Sequence, residues 1–167
     1  MKLLLIGCSG FIGEELMPRL LKADHQIILV TRKKIIPKAA NSVKNQLEVI
    51  TTDPSSSVNW LQGPLLKAIN NVQAVINLTG EPIGEKRWNQ EQCKEILNSR
   101  INTTRSLINA INKAQNKPNI LINASAIGYY GTSQEELFNE DSPSGSDFLA
   151  NVCKQWEESA SMKPNLT

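Results

Sequence analysis

A chain of 167 residues is long enough to bury a substantial core as one domain. Its net charge of +2, with acids and bases interspersed, offers no basic stripe, so nucleic acid is not expected as a partner, and no apolar run approaches the ~20 residues that cross a bilayer. The three cysteines, Cys8, Cys93 and Cys153, are far apart and lack metal-ligand spacing, which suits reduced thiols in a cytoplasmic compartment and no bound metal.

The first strand is expected over residues 2–6, leaving no room before it for a targeting segment. It runs as Leu3-Leu4-Leu5-Ile6 into Gly7-Cys8-Ser9-Gly10-Phe11-Ile12-Gly13 and a helix over 11–22. A pyrophosphate needs bare backbone N–H groups, an approach that no Cβ obstructs and the positive end of a helix, and this turn offers all three. Glycines also serve ordinary turns. The apolar strand before, the apolar-faced helix after and a second strand over 26–31 supply the context that makes the turn a dinucleotide-binding signature. Ser9, Phe11 and Ile12 are expected to join Gly7, Gly10 and Gly13 as cofactor contacts. The single histidine, His25, reads as a solvated loop residue.

The second strand ends in Thr31-Arg32-Lys33-Lys34, where an NAD-preferring site usually carries a carboxylate. A carboxylate would repel a 2′-phosphate and Arg32 can fork one, so NADP (NADPH) is favoured over NAD; the alternative is a solvated charge run. Residues 33–46 read as an irregular connection, followed by a strand over 47–51. Asp53 then either meets the adenine edge or forms an Asx turn with the serines after it. A helix over 58–69 and a strand over 73–78 lead to Leu78-Thr79-Gly80-Glu81, expected to contact the cofactor, with Gly80 passing close to the nicotinamide ribose.

A long helix over 89–114 keeps Ile96, Leu97, Ile101, Thr104, Leu107, Ile108 and Ile111 on one side, a stripe read as packing only. A fifth strand over 119–123 opens into Ala124-Ser125-Ala126-Ile127-Gly128-Tyr129-Tyr130-Gly131, and a last helix covers 147–160. Ser125 is expected to line the site, while Tyr129 and Tyr130 either take part or cap the core with their hydroxyls in water. The alternation of elements predicts an α/β fold, a doubly wound parallel sheet of the Rossmann GxxGxxG type, with strands one to five present in one domain over 1–167.

These segments resemble the extended short-chain dehydrogenase/reductase superfamily in its epimerase/dehydratase branch. More narrowly they resemble an atypical group of that branch, some of whose members carry the label cell-division inhibitor. The stretches that carry the likeness are Gly7 to Gly13, Asn77 to Ile83, Arg87-Trp88, Lys94 with Ser99-Arg100-Ile101, Asn123 to Gly131, Asp147 to Ala150, Val152-Cys153 and Trp156-Glu157. The resemblance implies that Gly7, Gly10 and Gly13 form the phosphate loop, that Arg32 meets the 2′-phosphate, that Gly80 is the strand-four contact, and that Ser125 is the catalytic hydroxyl on the reacting oxygen. It also implies a Tyr-x-x-x-Lys pair, the tyrosine as general acid/base, roughly 24 residues beyond that serine. Leu149 and Cys153 stand there instead, so the standard mechanism is not assigned; Tyr129 or Tyr130 is the available substitute.

The resemblance further implies a longer chain, with a sixth and a seventh strand and a substrate-binding region beyond the helix that carries Trp156-Glu157. Those C-terminal strands are expected to be absent, leaving the late-strand side of the sheet bare unless a partner chain or the missing half covers it. Three readings follow. One is an NADP-dependent oxidoreductase or epimerase acting on an unknown small substrate. Another is a nucleotide-binding, non-catalytic interaction module related to cell division. A third is a non-functional fragment.

Overall fold

The computed structural model describes residues 1–32 and 46–161, so the expected connection, apart from Gln46, lies outside the described residues. Five strands, β1 (Lys2–Ile6), β2 (Gln26–Thr31), β3 (Leu47–Thr51), β4 (Ala74–Asn77) and β5 (Ile120–Asn123), form one sheet in the order β3-β2-β1-β4-β5. All pairings are parallel, with Leu5 of β1 opposite Leu29 on one side and Ile76 on the other. The near-continuous Leu/Ile/Val runs of β1 and β2 are what a strand covered on both faces requires.

The covering helices are α1 (Phe11–Lys22), α2 (Val58–Leu61), α3 (Pro64–Ile69), α4 (Gln90–Lys113) and α5 (Phe148–Ala160). Side chains alternate along β1. Leu3 and Leu5 pack with Met17 and Leu21 of α1, whereas Leu4 and Ile6 pack with Trp60, Leu65, Leu107 and Ile111 on the other face. The α4 stripe is buried at Ile96, Ile101, Thr104, Leu107, Ile108 and Ile111, as the spacing predicts, while Leu97 is only partly buried.

The helix expected over 58–69 is two helices. Gly63 between them has φ +75, Gln62 is extended, and Pro64 opens α3 without an N–H to continue the earlier ladder. The expected bounds of α4 and α5 included their caps. Asn89 accepts the Gln92 N–H at 2.8 Å and Asp147 accepts the Ala150 N–H at 2.8 Å, each just outside its helix. Between β5 and α5, residues Ile127–Tyr130 form a short 3₁₀ turn.

Among the described residues, one part of the sheet lacks a cover. Ile120 and Ile122 of β5, in register with the buried Ala74 and Ile76, face the α1 side and are 45% and 52% exposed. Among the described residues, no helix is long and apolar enough to cross a membrane.

Candidate functional site

The carboxyl ends of β1 and β4, neighbours whose connections leave in opposite directions, open a crevice at the switch point of the sheet. A cavity of about 480 Å³ lies there, lined by Gly7, Ser9 and Gly10 after β1, by Thr31 and Arg32 at the end of β2, and by Asp53, Pro54 and Ser55 after β3. Thr79, Gly80 and Pro82 after β4 complete one wall, and Glu95, Asn98, Ser99, Asn102 and Thr103 of α4 form the opposite one.

The three loop glycines are needed for different reasons. Gly7 has φ +73, and a Cβ there would stand 2.6 Å from the Thr79 backbone nitrogen, so it lets the β1 and β4 loops touch. A Cβ on Gly13 would overlap the Cys8 carbonyl, so Gly13 lets α1 close on its own entry turn. Gly10 is the N-cap of α1, and a Cβ there would meet nothing within 4 Å. Phe11 and Ile12 begin α1 largely in solvent, at 89% and 62% exposure, and do not line the cavity.

Asp53 forms the Asx turn of the second sequence reading and also lies in the cavity wall. Its Oδ1 accepts from the Ser55 N–H at 2.9 Å and the Ser55 hydroxyl at 2.8 Å, an Asx turn, while the residue lines the cavity. Arg32 lines it too, and its guanidinium lies 3.9 Å from Glu81. Gly80 has a structural partner that the sequence did not reveal. A Cβ there would stand 2.7 Å from the Arg100 guanidinium, which lies beneath the strand-four loop.

Arg100 is held from several sides. Its Nη1 donates to the carbonyls of Glu81 at 3.1 Å and Ile96 at 2.9 Å, and the guanidinium lies 5.3 Å from the centre of the Trp156 ring. Burial lowers its pKa, an effect opposed by Cys153 and Glu81. Burial conversely pushes the Cys153 thiol up, partly offset by Arg100.

Ser125, Tyr129 and Tyr130 lie outside this cavity. The Ser125 hydroxyl donates to the carboxylate of Glu157 on α5. Tyr129 packs edge-on against Tyr130, which stacks on Phe138 at 5.5 Å. Leu149 and Cys153, the positions at which the resemblance implies tyrosine and lysine, pack under the 3₁₀ turn. A Cβ on Gly128 would be 3.4 Å from the Leu149 Cβ and 3.9 Å from the Cys153 sulfur.

Sequence reasoning missed the cavity wall on α4 and the polar network beneath it. Glu95, Asn98 and Asn102 recur at helical spacing opposite the apolar stripe, a polar face that the packing reading passed over. Thr104 is more than packing. Its Oγ1 accepts from Asn77 Nδ2 at 3.1 Å and from the Trp156 indole N–H at 3.0 Å. Asn77 Nδ2 also donates to Asn123 Oδ1 at 2.6 Å, tying the ends of β4 and β5.

Two observations test whether a dinucleotide suits this crevice. The Thr79 hydroxyl is buried with no hydrogen-bond partner among the described residues, beside the glycine turn, as a polar atom awaiting a ligand would be. Gly10 lines the cavity with the space of a missing side chain in front of it, at the positive end of a 12-residue helix. The residues therefore fit the group. Among the described residues, no cluster of His, Cys, Asp or Glu could hold a metal ion.

A parallel sheet whose glycine turn feeds a helix N-terminus into a cavity at the switch point defines a Rossmann-type fold, the kind that binds dinucleotides. The NAD dependent epimerase/dehydratase family model matches residues 3–151, and the chain belongs to that family. It is 40% identical over 156 residues to the chloroplastic epimerase family protein SDR39U1 homolog of Arabidopsis thaliana, covering 92% of this chain and 42% of that one. It is 34% identical over 161 residues to the epimerase family protein YfhF of Bacillus subtilis, covering 95% and 48%. The crystal structure of human epimerase family protein SDR39U1 (isoform 2) with NADPH superposes with a TM-score of 0.79 at 32% identity, covering 98% of this chain and 50% of that one. The chain thus spans about half the length of the relatives that it matches.

Proposed function

We propose that this chain forms the NADP(H)-binding part of an epimerase/dehydratase-like oxidoreductase or epimerase acting on a small substrate, in a cytoplasm-like reducing compartment. The observation that carries the reading is the cavity that joins the glycine turn to Arg32, at a β2 end whose sequence, Thr31-Arg32-Lys33-Lys34, carries no acidic residue. A relative crystallised with NADPH supports the same choice of dinucleotide.

In this reading the N–H groups of Gly7 to Gly13 and the start of α1 hold the pyrophosphate, aided by Ser9, Phe11 and Ile12 through their backbone. Arg32 takes the 2′-phosphate, Asp53 the adenine edge, and Leu78, Thr79 and Gly80 the nicotinamide ribose. A bound nicotinamide supplies hydride transfer. Ser125, whose proton points to Glu157, offers its oxygen to a substrate hydroxyl, with Tyr129 and Tyr130 as the neighbouring phenols. The bare Ile120 and Ile122 favour a second segment, the counterpart of the relatives' remaining length, as the other wall of the substrate pocket.

A second reading, a nucleotide-binding module without turnover, is favoured by Leu149 and Cys153, which serve as packing where a proton-transferring pair is implied. Thermal unfolding of the chain alone, with NADPH and with NADH tests the common core of both. A ligand at about 100 times its Kd adds ~2.7 kcal/mol. A larger rise with NADPH than with NADH is expected, and no response to either would overturn the proposal. Turnover after the complementary segment is added separates the two readings.

A further inference from the structure

Glu81 occupies an unusual position for a residue beside an anion site. Its N–H donates to the Ser99 hydroxyl at 2.9 Å and its carbonyl accepts from Arg100 at 3.1 Å, so α4 fixes its backbone from both sides. Its carboxylate is only 16% exposed and bridges two cations, Lys86 at 3.0 Å and Arg32 at 3.9 Å. Lys86 is correspondingly raised in pKa by its hydrogen bond and charge contact with Glu81. Arg32, by contrast, has a side chain that is 65% exposed at the end of β2. The ion pair therefore joins a backbone-anchored, largely buried anion to an exposed cation that lines the crevice.

We infer that Glu81 is a specificity-determining residue that competes with the cofactor's 2′-phosphate for the Arg32 guanidinium, and so restrains the preference for NADP over NAD. The inference rests on the proposal that Arg32 receives the 2′-phosphate. A phosphate arriving at Arg32 must replace the carboxylate as its partner, and it meets the negative field of that carboxylate as it does so. NAD carries only a hydroxyl at that position and meets neither opposition. Lys86 moderates the competition. Held at 3.0 Å, it neutralises part of the Glu81 charge and keeps Arg32 as the weaker and more exchangeable partner.

Calorimetric titration of NADPH and NADH into wild type, Glu81→Gln, Lys86→Ala and Arg32→Ala tests this. Glu81→Gln keeps both backbone anchors and should tighten NADPH about threefold relative to NADH, in line with a partly exposed ion pair. Lys86→Ala should weaken NADPH, and that weakening should vanish when Glu81→Gln is added. Unchanged or weaker NADPH binding by Glu81→Gln, or equal tightening of both cofactors, overturns the inference. The Arg32→Ala arm judges the underlying reading separately. A loss of NADPH affinity matched by NADH removes the 2′-phosphate role, whereas a selective loss of NADPH keeps it. In that background Glu81→Gln should recover less than it does in wild type. Binding of neither cofactor to wild type overturns both.

Discussion

The indole N–H of Trp156 on α5 ends on the hydroxyl of Thr104 on α4, 3.0 Å away, and the same oxygen receives Asn77 from the end of β4. One hydroxyl thus fixes the last helix to the strand end that borders the cavity. Thr104→Val keeps the shape and removes the acceptor, leaving the buried indole unpaired, and should cost about 1–3 kcal/mol in urea unfolding. Thr104→Ser should cost less. A valine variant as stable as wild type would show that the network contributes nothing.

Gly7 and Gly10 should separate folding from binding. Gly7→Ala places a Cβ 2.6 Å from the Thr79 backbone at φ +73, and a loss of about 3 kcal/mol or more is expected. Gly10→Ala meets no atom of the protein, so stability should fall by less than about 1 kcal/mol. Its methyl enters the cavity, and NADPH binding should weaken at least ~10-fold, or 1.4 kcal/mol. Paired thermal melts with and without NADPH read both quantities.

The Cys8 thiol is fully buried and its pKa is pushed up to about 12 by desolvation, from 9.0. The folded protein holds this proton where the unfolded chain releases it. Its contribution to stability is complete below pH 9 and is lost as the pH rises towards 12. In that window wild type should lose stability more steeply than Cys8→Ala, by about 1 kcal/mol per pH unit. Parallel alkaline profiles of the two proteins would refute the assignment.

The bare edge at β5 should make the isolated chain associate with itself. Ile120 and Ile122 are about half exposed on a strand that, among the described residues, ends the sheet. Sedimentation velocity should show concentration-dependent association that Ile122→Lys reduces. A monomer at all concentrations would mean that these side chains are tolerated in water.

The sheet was legible because β1 and β2 are unbroken apolar runs and the helices between strands keep a helical stripe, patterns set by local geometry. Dividing residues 58–69 depended on Gly63-Pro64, a breaker inside an otherwise helical stretch. The reason for Gly80 was hidden because its neighbour Arg100 arrives from another element. Thr104 was read by its place in a stripe, which records burial but is blind to an indole brought in by a helix 52 residues away. Ser125 is singled out by its neighbourhood in sequence, yet its observed partner Glu157 comes from α5, and only the folded chain brings the two together.

Helix α4 is a single rod of 24 residues, roughly 36 Å long. Its later turns are locked into the core by Leu107 and Ile111, while its earlier ones present Glu95, Asn98 and Asn102 to the crevice and to water. A library randomised at those three positions would therefore vary the lining of the crevice on a frame anchored along the helix's other face, from Ile96 to Ile111, giving protein engineering a handle on ligand choice that leaves the scaffold in place.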